Sequence, residues 1–335
     1  MNKWMRDHKK ILIILFFPYL LLLFLLVTPT KFALVGPGGL TPVDENVEIE
    51  MTEMSKNFYT IYVVSYHPMT PFQKIVAELS QRIAVSKMTQ RQEDTTWKEQ
   101  YLQGQMTKEV SLNTSVIKAY ELASLKDSSI SVDYSYEGAL IYYRPSRLNL
   151  LEIGDLVISI NGTSLTELTY DMFIDLFYSS LTTTLEIQRV VGSELKTFTF
   201  EYTKLADEAW MLFYPQYDII STIPHVDYTG NNATIGGPSG GMIQTLSIYA
   251  SLLNLNLENL KIAGTGTMEM DGTVGRIGGI VQKLYTAMDA NADVFIYPYG
   301  HISDIPDLDF PYEMVVVKTI EEAVNWLHEK TSTMD

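Results

Sequence analysis

A serine in a glycine-rich stretch is the first residue that could carry chemistry. Ser239 lies in Thr234-Ile-Gly-Gly-Pro-Ser-Gly-Gly-Met242, and apolar residues recur at helical spacing from there to Leu253. A serine framed by small residues at the start of a helix exposes its hydroxyl, and backbone N–H groups of the same turn can face a developing oxyanion. Taken alone, the stretch is more typical of a glycine-rich turn with a capping serine.

A second stretch favours a catalytic role for Ser239 over a capping role. It reads Gly272-Thr-Val-Gly-Arg-Ile-Gly-Gly-Ile-Val-Gln-Lys283. Together the two stretches resemble the Lon-type Ser-Lys proteases, in which a Gly-Pro-Ser-x-Gly serine is followed some forty residues later by an Ile-Gly-Gly-x-x-x-Lys lysine. Ser239 and Lys283 occupy those places, and the resemblance extends from roughly Tyr217 to the C-terminus. It implies a compact α+β protease domain with a Ser-Lys dyad. No ATPase module accompanies it, so ATP-independent cleavage of short or unfolded peptides is expected.

A lysine acts as a general base only when it is neutral, so its pKa must be lowered by desolvation. Lys283 falls in the first turn of a predicted helix whose N-terminus also favours the neutral amine. A lone lysine on a helix is otherwise typically a solvated surface residue. For the oxyanion, the backbone N–H groups of Ser239 and of Gly237 or Gly236 are the candidates, because Pro238 has none.

The sequence does not determine which residue orients Lys283. The Lon-type family usually carries a threonine near the lysine. Alignment through the Ile-Gly-Gly turn puts Glu269 at that place, with Thr265 and Thr267 nearby. A carboxylate close to Lys283 could even keep the lysine protonated.

Two other readings compete with a Ser-Lys peptidase. Gly237-Pro-Ser-Gly-Gly241 also fits the nucleophile elbow of α/β-hydrolases, with His301 or His328 as base and Asp293, Asp304, Asp307 or Asp309 as third member. His301, however, lies in a polar loop and is interpreted as a surface residue. The other alternative is a non-catalytic peptide-binding scaffold on an inactive protease fold.

Composition excludes several classes of function. The formal charge is −16, and no basic face suggests nucleic acid as a partner. Cysteine is absent, which rules out disulfides, a cysteine nucleophile and cysteine-ligated metals. His-Glu-x-x-His and Gly-Lys-Ser/Thr motifs are also missing, so neither a zinc site nor nucleotide binding is expected, and no cofactor is predicted.

An uncharged apolar run of seventeen residues, Ile11 to Val27, lies near the N-terminus. That length is at the short end for crossing a bilayer. Basic residues precede the run, so the positive-inside rule predicts a cytoplasmic N-terminus and an extracellular remainder. A cleaved signal peptide is the alternative, disfavoured because no A-x-A-like site follows closely. A signal anchor in the cell membrane is therefore predicted.

Short strands dominate from about Ser128 to Tyr202. Ile153-Gly-Asp-Leu-Val-Ile-Ser-Ile-Asn-Gly162, a helix at 170–179 and strands at 184–190 and 196–202 resemble a PDZ domain. The resemblance places Gly138, Ala139, Leu140 and Ile141 at the peptide-binding loop, where a peptide terminus is held or a strand is added. Ala139 departs from the common pattern, which favours strand addition over C-terminus capture. The alternative is a small β domain that only supports the catalytic unit.

The predicted fold class is α+β, with a transmembrane helix, a PDZ-like β domain and a Lon-type protease domain. The resemblance as a whole is to PDZ-containing Lon-like proteases of Gram-positive bacteria, which process secreted or membrane-linked peptides. Predicted segments are 1–10 (cytoplasmic), 11–28 (anchor), 29–125 (helical and extended, packing on the protease domain), 126–205 (PDZ-like) and 206–335 (protease). Further predicted elements are a strand at 58–66, a helix opening at Pro71 that continues past Leu79 to include Ile83, helical segments at 90–123, strands at 261–270, 293–297 and 313–318, and helices at 280–291 and 320–330.

Overall fold

Strands and helices alternate along much of the chain and form a mixed α and β fold. The computed structural model describes residues 8–206, 208–228 and 236–332. The helices are α1 Lys9–Val27, α2 Pro71–Glu78, α3 Gln90–Asp94, α4 Trp97–Ser124, α5 Tyr170–Ser179, α6 Gly241–Leu252, α7 Ile280–Asp289 and α8 Ile320–Ser332. The strands are β1 Phe32–Pro42, β2 Val47–Ile49, β3 Phe58–Tyr66, β4 Ala84–Lys87, β5 Ser131–Tyr143, β6 Leu156–Ile160, β7 Thr163–Ser164, β8 Thr182–Val191, β9 Glu194–Thr203, β10 Leu212–Ile223, β11 Val226–Tyr228, β12 Ile262–Gly264, β13 Thr267–Met268, β14 Val274–Gly275, β15 Val294–Pro298 and β16 Glu313–Val317.

The apolar run near the N-terminus forms α1, a helix of 19 residues that is long and apolar enough to cross a membrane by length and composition. At 1.5 Å per residue it extends about 28 Å, close to the hydrocarbon thickness of a bilayer. Its described side chains are exposed or half-buried, so α1 is not a core helix of the folded part of the chain.

One sheet joins the N-terminal segment to the C-terminal half, with strand order β16-β15-β12-β3-β1-β4. Strand β3 runs parallel to β12, and Ile262 lies opposite Phe58. The predicted strand at 261–270 is interrupted between β12 and β13. The interruption has a cause, because the N–H of Gly266 leaves the ladder and donates to the carbonyl of Ser239 over 2.8 Å.

The second sheet has the order β10-β5-β6-β8-β9, and the predicted helix α5 packs on it. The aromatic rings of Phe173 and Phe177 are fully buried against this sheet. Between β6 and β7 the Asn-Gly turn forms as predicted, with positive φ angles of 51° at Asn161 and 83° at Gly162. These values are typical of the tight turns that join hairpin strands.

Helix α4 packs on the second sheet through β5 and β10 and also contacts α6. It is separated from α3 at Thr95 and Thr96, where the Thr96 side chain accepts from the N–H of Glu99 and the Glu99 carboxylate accepts from the N–H of Thr96. This reciprocal capping starts a new helix. The second half of α4 is largely buried, including Val116 and Tyr120, so it is a central support rather than a surface helix.

Candidate active site

The serine loop, 236–240, is the segment that leads into α6. Ser239 is half-buried in it. The carbonyl of Pro238 accepts hydrogen bonds from the N–H of Gly241 (3.3 Å) and from the Ser111 hydroxyl of α4 (3.1 Å). The hydroxyl of Ser115, one turn further along α4, donates to the carbonyl of Gly241 over 2.9 Å. Two hydroxyls of α4 therefore position the loop.

Close backbone contacts with Gly104 of α4 also fix the serine loop. The N–H of Gly237 donates to the carbonyl of Gly104 in α4 over 2.9 Å. A Cβ atom on Gly236 would lie 2.7 Å from the Cα of Gly104, a distance that real side chains do not adopt. Glycine at 236 is thus required because the backbone of α4 approaches this closely.

Lys283 enters the same region from α7. The N-cap of this helix is Gly279, in the left-handed region with φ 70°, and the N–H of Lys283 donates to its carbonyl over 3.0 Å. The lysine is therefore in the first helical turn, as the sequence predicts. Its side chain is only 1% exposed, which is rare for a lysine.

The structure brings Lys283 and Ser239 together. Lys283 Nζ lies 2.7 Å from Ser239 Oγ and 2.8 Å from Thr265 Oγ1. The Thr265 hydroxyl in turn donates to the backbone carbonyl of Ser239 over 2.9 Å. The three residues form a closed set of hydrogen bonds in which the amine is aimed at the serine oxygen.

Burial lowers the pKa of Lys283 from its ordinary value of 10.5 to about 7. Desolvation disfavours the ammonium form, and among the described residues the amine donates its hydrogen bonds to neutral hydroxyls. The carboxylate of Glu269, which the sequence placed near the lysine, accepts instead from the Thr267 hydroxyl over 3.0 Å. Burial also raises the pKa of Glu269. With a pKa of about 7, about half of the Lys283 amine is neutral at pH 7, compared with a very small fraction of an exposed lysine.

The predicted oxyanion donors need one correction. The N–H of Gly237 is already bonded to Gly104, so it is not available to a substrate oxygen in this arrangement. The N–H groups of Ser239 and Gly236 donate to no acceptor among the described residues. Of these, the N–H of Ser239 belongs to the residue that carries the reactive hydroxyl.

The segment that contains Ser239 and Lys283 is similar to a known protein domain. Residues 198–328 match the family model of the Lon protease (S16) C-terminal proteolytic domain. This match indicates a serine peptidase with a Ser-Lys dyad. The chain is also similar to Lon protease 2 of Bacillus subtilis (strain 168), with 29% identity over 109 residues. That alignment covers 32% of this chain and 18% of the relative's length.

The two histidines considered as the base of a Ser-His-Asp site, His301 and His328, are hydrogen-bonded to groups other than Ser239. His301 is buried, at 2% exposed, and not on the surface as its polar surroundings in the sequence indicated. Its Nε2 accepts from the N–H of Ile277 (2.9 Å), and its Nδ1 is 2.8 Å from a carboxylate oxygen of Asp304. His328 is hydrogen-bonded to the Tyr249 hydroxyl over 2.7 Å. Both rings are engaged away from Ser239.

The predicted peptide-binding loop has no free backbone edge to which a peptide could pair. Gly138, Ala139, Leu140 and Ile141 lie inside β5, where β10 pairs with one side. On the other side Ala139 and Leu140 pair with β6, and the N–H of Ile141 donates to the carbonyl of Asp155 over 2.9 Å. With both edges occupied, this stretch is neither a carboxylate-binding loop nor a free edge for an added strand. The long-range pairing with β10 is the physical reason.

The support that Ser111 and Ser115 give to the serine loop cannot be predicted from the sequence, because a helical serine far away in the chain carries no signal of this role. The sequence places Thr265 and Thr267 beside Glu269 and, through the Ile-Gly-Gly turn, favours the carboxylate, whereas in the structure Thr265 contacts the amine. Across the described residues, no group of three or more His, Cys, Asp or Glu could hold a metal ion. The sequence also predicts a turn at 229–232, before the serine loop, and these residues lie outside the described ones.

Proposed function

We propose that this chain is a serine endopeptidase in which Ser239 is the nucleophile and Lys283 is the general base and then the general acid. The observation that carries the proposal is the distance of 2.7 Å between a buried amine and the serine oxygen. In the neutral form, Lys283 takes the proton of Ser239 as its Oγ attacks the carbonyl carbon of a peptide bond. The ammonium then gives that proton to the leaving amine.

The acyl-enzyme is resolved by the same two groups. Water attacks the ester carbonyl, Lys283 again accepts a proton, and the serine oxygen leaves and recovers its hydrogen. In both steps the N–H of Ser239 is the proposed donor to the oxyanion. A dry pocket around the amine makes proton return from the ammonium favourable, because its pKa of about 7 is well below that of an exposed lysine.

The test is hydrolysis of a mixed peptide library, followed by mass spectrometry without added nucleotide. Ser239→Ala and Lys283→Ala should abolish new cleavage products. Ser247→Ala, in the buried body of α6, and Lys56→Ala, an exposed lysine paired with Glu53, are matched controls that should keep activity. If the parent protein binds peptides but yields no cleavage products, the hypothesis of a non-catalytic peptide-binding scaffold is favoured.

We also propose that α1 anchors the chain once in the cell membrane, with the N-terminus cytoplasmic and the remainder outside. Support comes from the exposed apolar helix and from Lys3, Arg6, Lys9 and Lys10 at its N-terminal end. Substrates would then be extracellular or membrane-linked peptides. Protease protection of right-side-out membrane vesicles tests this: survival of residues beyond 28 would contradict it.

The third part of the proposal concerns the second sheet. We assign 126–205 to a PDZ-like unit that positions substrate, and 206–335 together with 29–125 to the peptidase unit, since β3 and β12 share a sheet. Hydrogen–deuterium exchange on Ser239→Ala with a bound peptide tests the assignment. Protection is expected in 126–205 as well as near residue 239, and protection near residue 239 alone would reject a role in positioning.

A further inference from the structure

Helix α2 presents an apolar face to the outside of the protein. Phe72, Ile75, Val76 and Leu79, at the helix and its C-cap, follow the spacing of one helical face. The apolar face of a helix in a globular protein usually packs on the core, but all four residues are exposed, Ile75 at 53% and Leu79 at 83%. The predicted helix also ends at Glu78, before Ile83. The opposite side of α2 is the one that packs, through Ala77.

Hydrogen bonds hold the start of α2 beside the end of α1. The N–H and the hydroxyl of Thr30 both donate to the carbonyl of Met69, over 2.9 and 2.7 Å. The N–H of Met69 donates to the carbonyl of Phe32 over 3.0 Å. Thr30 follows the end of α1 at Val27 closely, and Met69 lies just before the start of α2 at Pro71, so these hydrogen bonds bring the two helix ends near each other in space. The two helices are in contact.

The rim of this face has the composition of a membrane–water boundary. Lys74 of α2 lies with its amine 3.9 Å from the ring centroid of Phe32, and Lys31 is exposed. At the same end of the sheet, Tyr66 contacts the exposed ring of Trp97. Lysine side chains that lie along apolar surface, and tyrosine and tryptophan rings, are enriched where proteins meet lipid headgroups.

We propose that the apolar face of α2 (Phe72, Ile75, Val76 and Leu79) lies in the interfacial layer of the bilayer that α1 crosses. The occupant is lipid, because the face is continuous with an apolar helix that itself needs lipid around it. This inference rests on the proposed anchoring by α1. It adds a second attachment, which fixes the orientation of the extracellular part relative to the membrane.

The absence of cysteine allows a direct test with single labels on the full chain. Ile75→Cys, Leu79→Cys, Leu22→Cys in α1 and Leu125→Cys are each labelled with an environment-sensitive fluorophore. Each variant is reconstituted in nanodiscs of phosphatidylcholine and phosphatidylglycerol, with and without lipids carrying a nitroxide near the headgroup. Leu125 is the matched control, since it is 79% exposed at the far end of α4.

Quenching by nitroxide lipid at positions 75 and 79 should be at least about twice that at position 125. Equal quenching at 79 and 125, with strong quenching at 22, would overturn the inference and leave the anchor intact. No quenching at position 22 would instead remove the anchor itself, and the inference with it. Shielding of 79 from an aqueous quencher without lipid quenching would assign the face to a protein contact and also overturn it.

Discussion

The hydroxyl of Thr265 lies 2.8 Å from the amine of Lys283, and it donates its own hydrogen to the backbone carbonyl of Ser239. That donation leaves the threonine oxygen as an acceptor toward the amine. Thr265 therefore fixes one N–H direction of Lys283, and a lone pair of the neutral amine is left for the proton of Ser239. The same hydroxyl couples the position of the lysine to that of the serine loop.

Thr265→Val should lower kcat by about 10- to 100-fold and change KM little, because positioning of the base is lost while substrate contacts remain. Thr265→Ser restores the hydroxyl and should recover most of the rate. Steady-state cleavage of a fluorogenic peptide measures both constants. A loss in Thr265→Ser as large as in Thr265→Val would mean that packing of the methyl group matters, not the hydrogen bond.

The rate should depend on pH through the protonation of Lys283. Its pKa of about 7 means that the neutral base becomes the minor form below that pH. We expect kcat/KM to rise with pH, by up to about tenfold per unit well below pH 7, and to level off above it. A pH series with the fluorogenic peptide measures this limb. A plateau that continues down to pH 5 would contradict a lysine base.

Burial of Lys283 should also make the free energy of unfolding depend on pH. Above pH 10.5 the lysine is neutral in both folded and unfolded chains, so burial has no electrostatic cost. As the pH falls toward 7 only the unfolded chain takes up a proton, which lowers the free energy of unfolding by up to about 5 kcal/mol. Below pH 7 both states are protonated and the cost stays constant.

Lys283→Met removes that cost, so the variant should be inactive yet more stable than the parent near pH 7. Lost hydrogen bonds to Ser239 and Thr265 offset part of the gain, which leaves about 1 to 3 kcal/mol. The shift in Tm should grow between pH 10 and 7 and then level off. Lys56→Met, at an exposed side chain, is the control and should show no such trend. A destabilised Lys283→Met at every pH would show that the amine's contacts outweigh its burial.

Local patterns predicted most of the elements that carry the site. The strand Phe58–Tyr66 and the helix Tyr170–Ser179 are confirmed at their predicted limits, since alternation, capping and apolar spacing are properties of neighbouring residues. The predicted helix containing Lys283 is confirmed as well and ends two residues earlier than predicted. The positions of Ser239 and Lys283 near helix starts followed from flanking glycines, which determine the backbone locally.

Features that depend on distant residues could not be predicted. Gly138 to Ile141 are closed off by β10, which follows some seventy residues later in the chain. Similarly, the buried ring of His301 accepts a hydrogen bond from the N–H of Ile277, which lies 24 residues earlier in the chain. Thr265 lies in the break between β12 and β13, and Glu269 follows β13. Which of the two side chains faces the lysine depends on the path of the chain at that break, and sequence spacing does not report it.

His301→Ala should reduce stability and leave activity within about tenfold of the parent. The N–H of Ile277 loses its acceptor inside the protein, a cost of about 1 to 3 kcal/mol. Ser239 keeps its contact with Lys283, so the chemistry persists. Thermal unfolding and peptide cleavage measure the two effects, with His328→Ala as a comparison. A loss of turnover equal to that of Ser239→Ala would favour the Ser-His-Asp reading instead.

Glycine-to-alanine substitutions test whether the close approach of α4 to the serine loop sets the position of Ser239. Gly236→Ala places a Cβ 2.7 Å from the backbone of Gly104, which cannot retreat because it lies within α4, so the serine loop must move. A displacement of about 1 Å at Ser239 should lower kcat by about 100-fold. Gly104→Ala meets Gly236 at 3.5 Å, an ordinary contact, and should cost much less.

Gly278→Ala is the matched control for that series, since a Cβ there meets nothing within 4 Å although the residue lies just before α7. It should keep the parent's rate and Tm. Activity should therefore be highest for Gly278→Ala, lower for Gly104→Ala and lowest for Gly236→Ala. The Tm of each variant shows whether a loss of activity comes from a displaced serine loop or from unfolding. If Gly236→Ala cleaves as fast as Gly278→Ala, close packing of α4 against the loop does not set the position of Ser239.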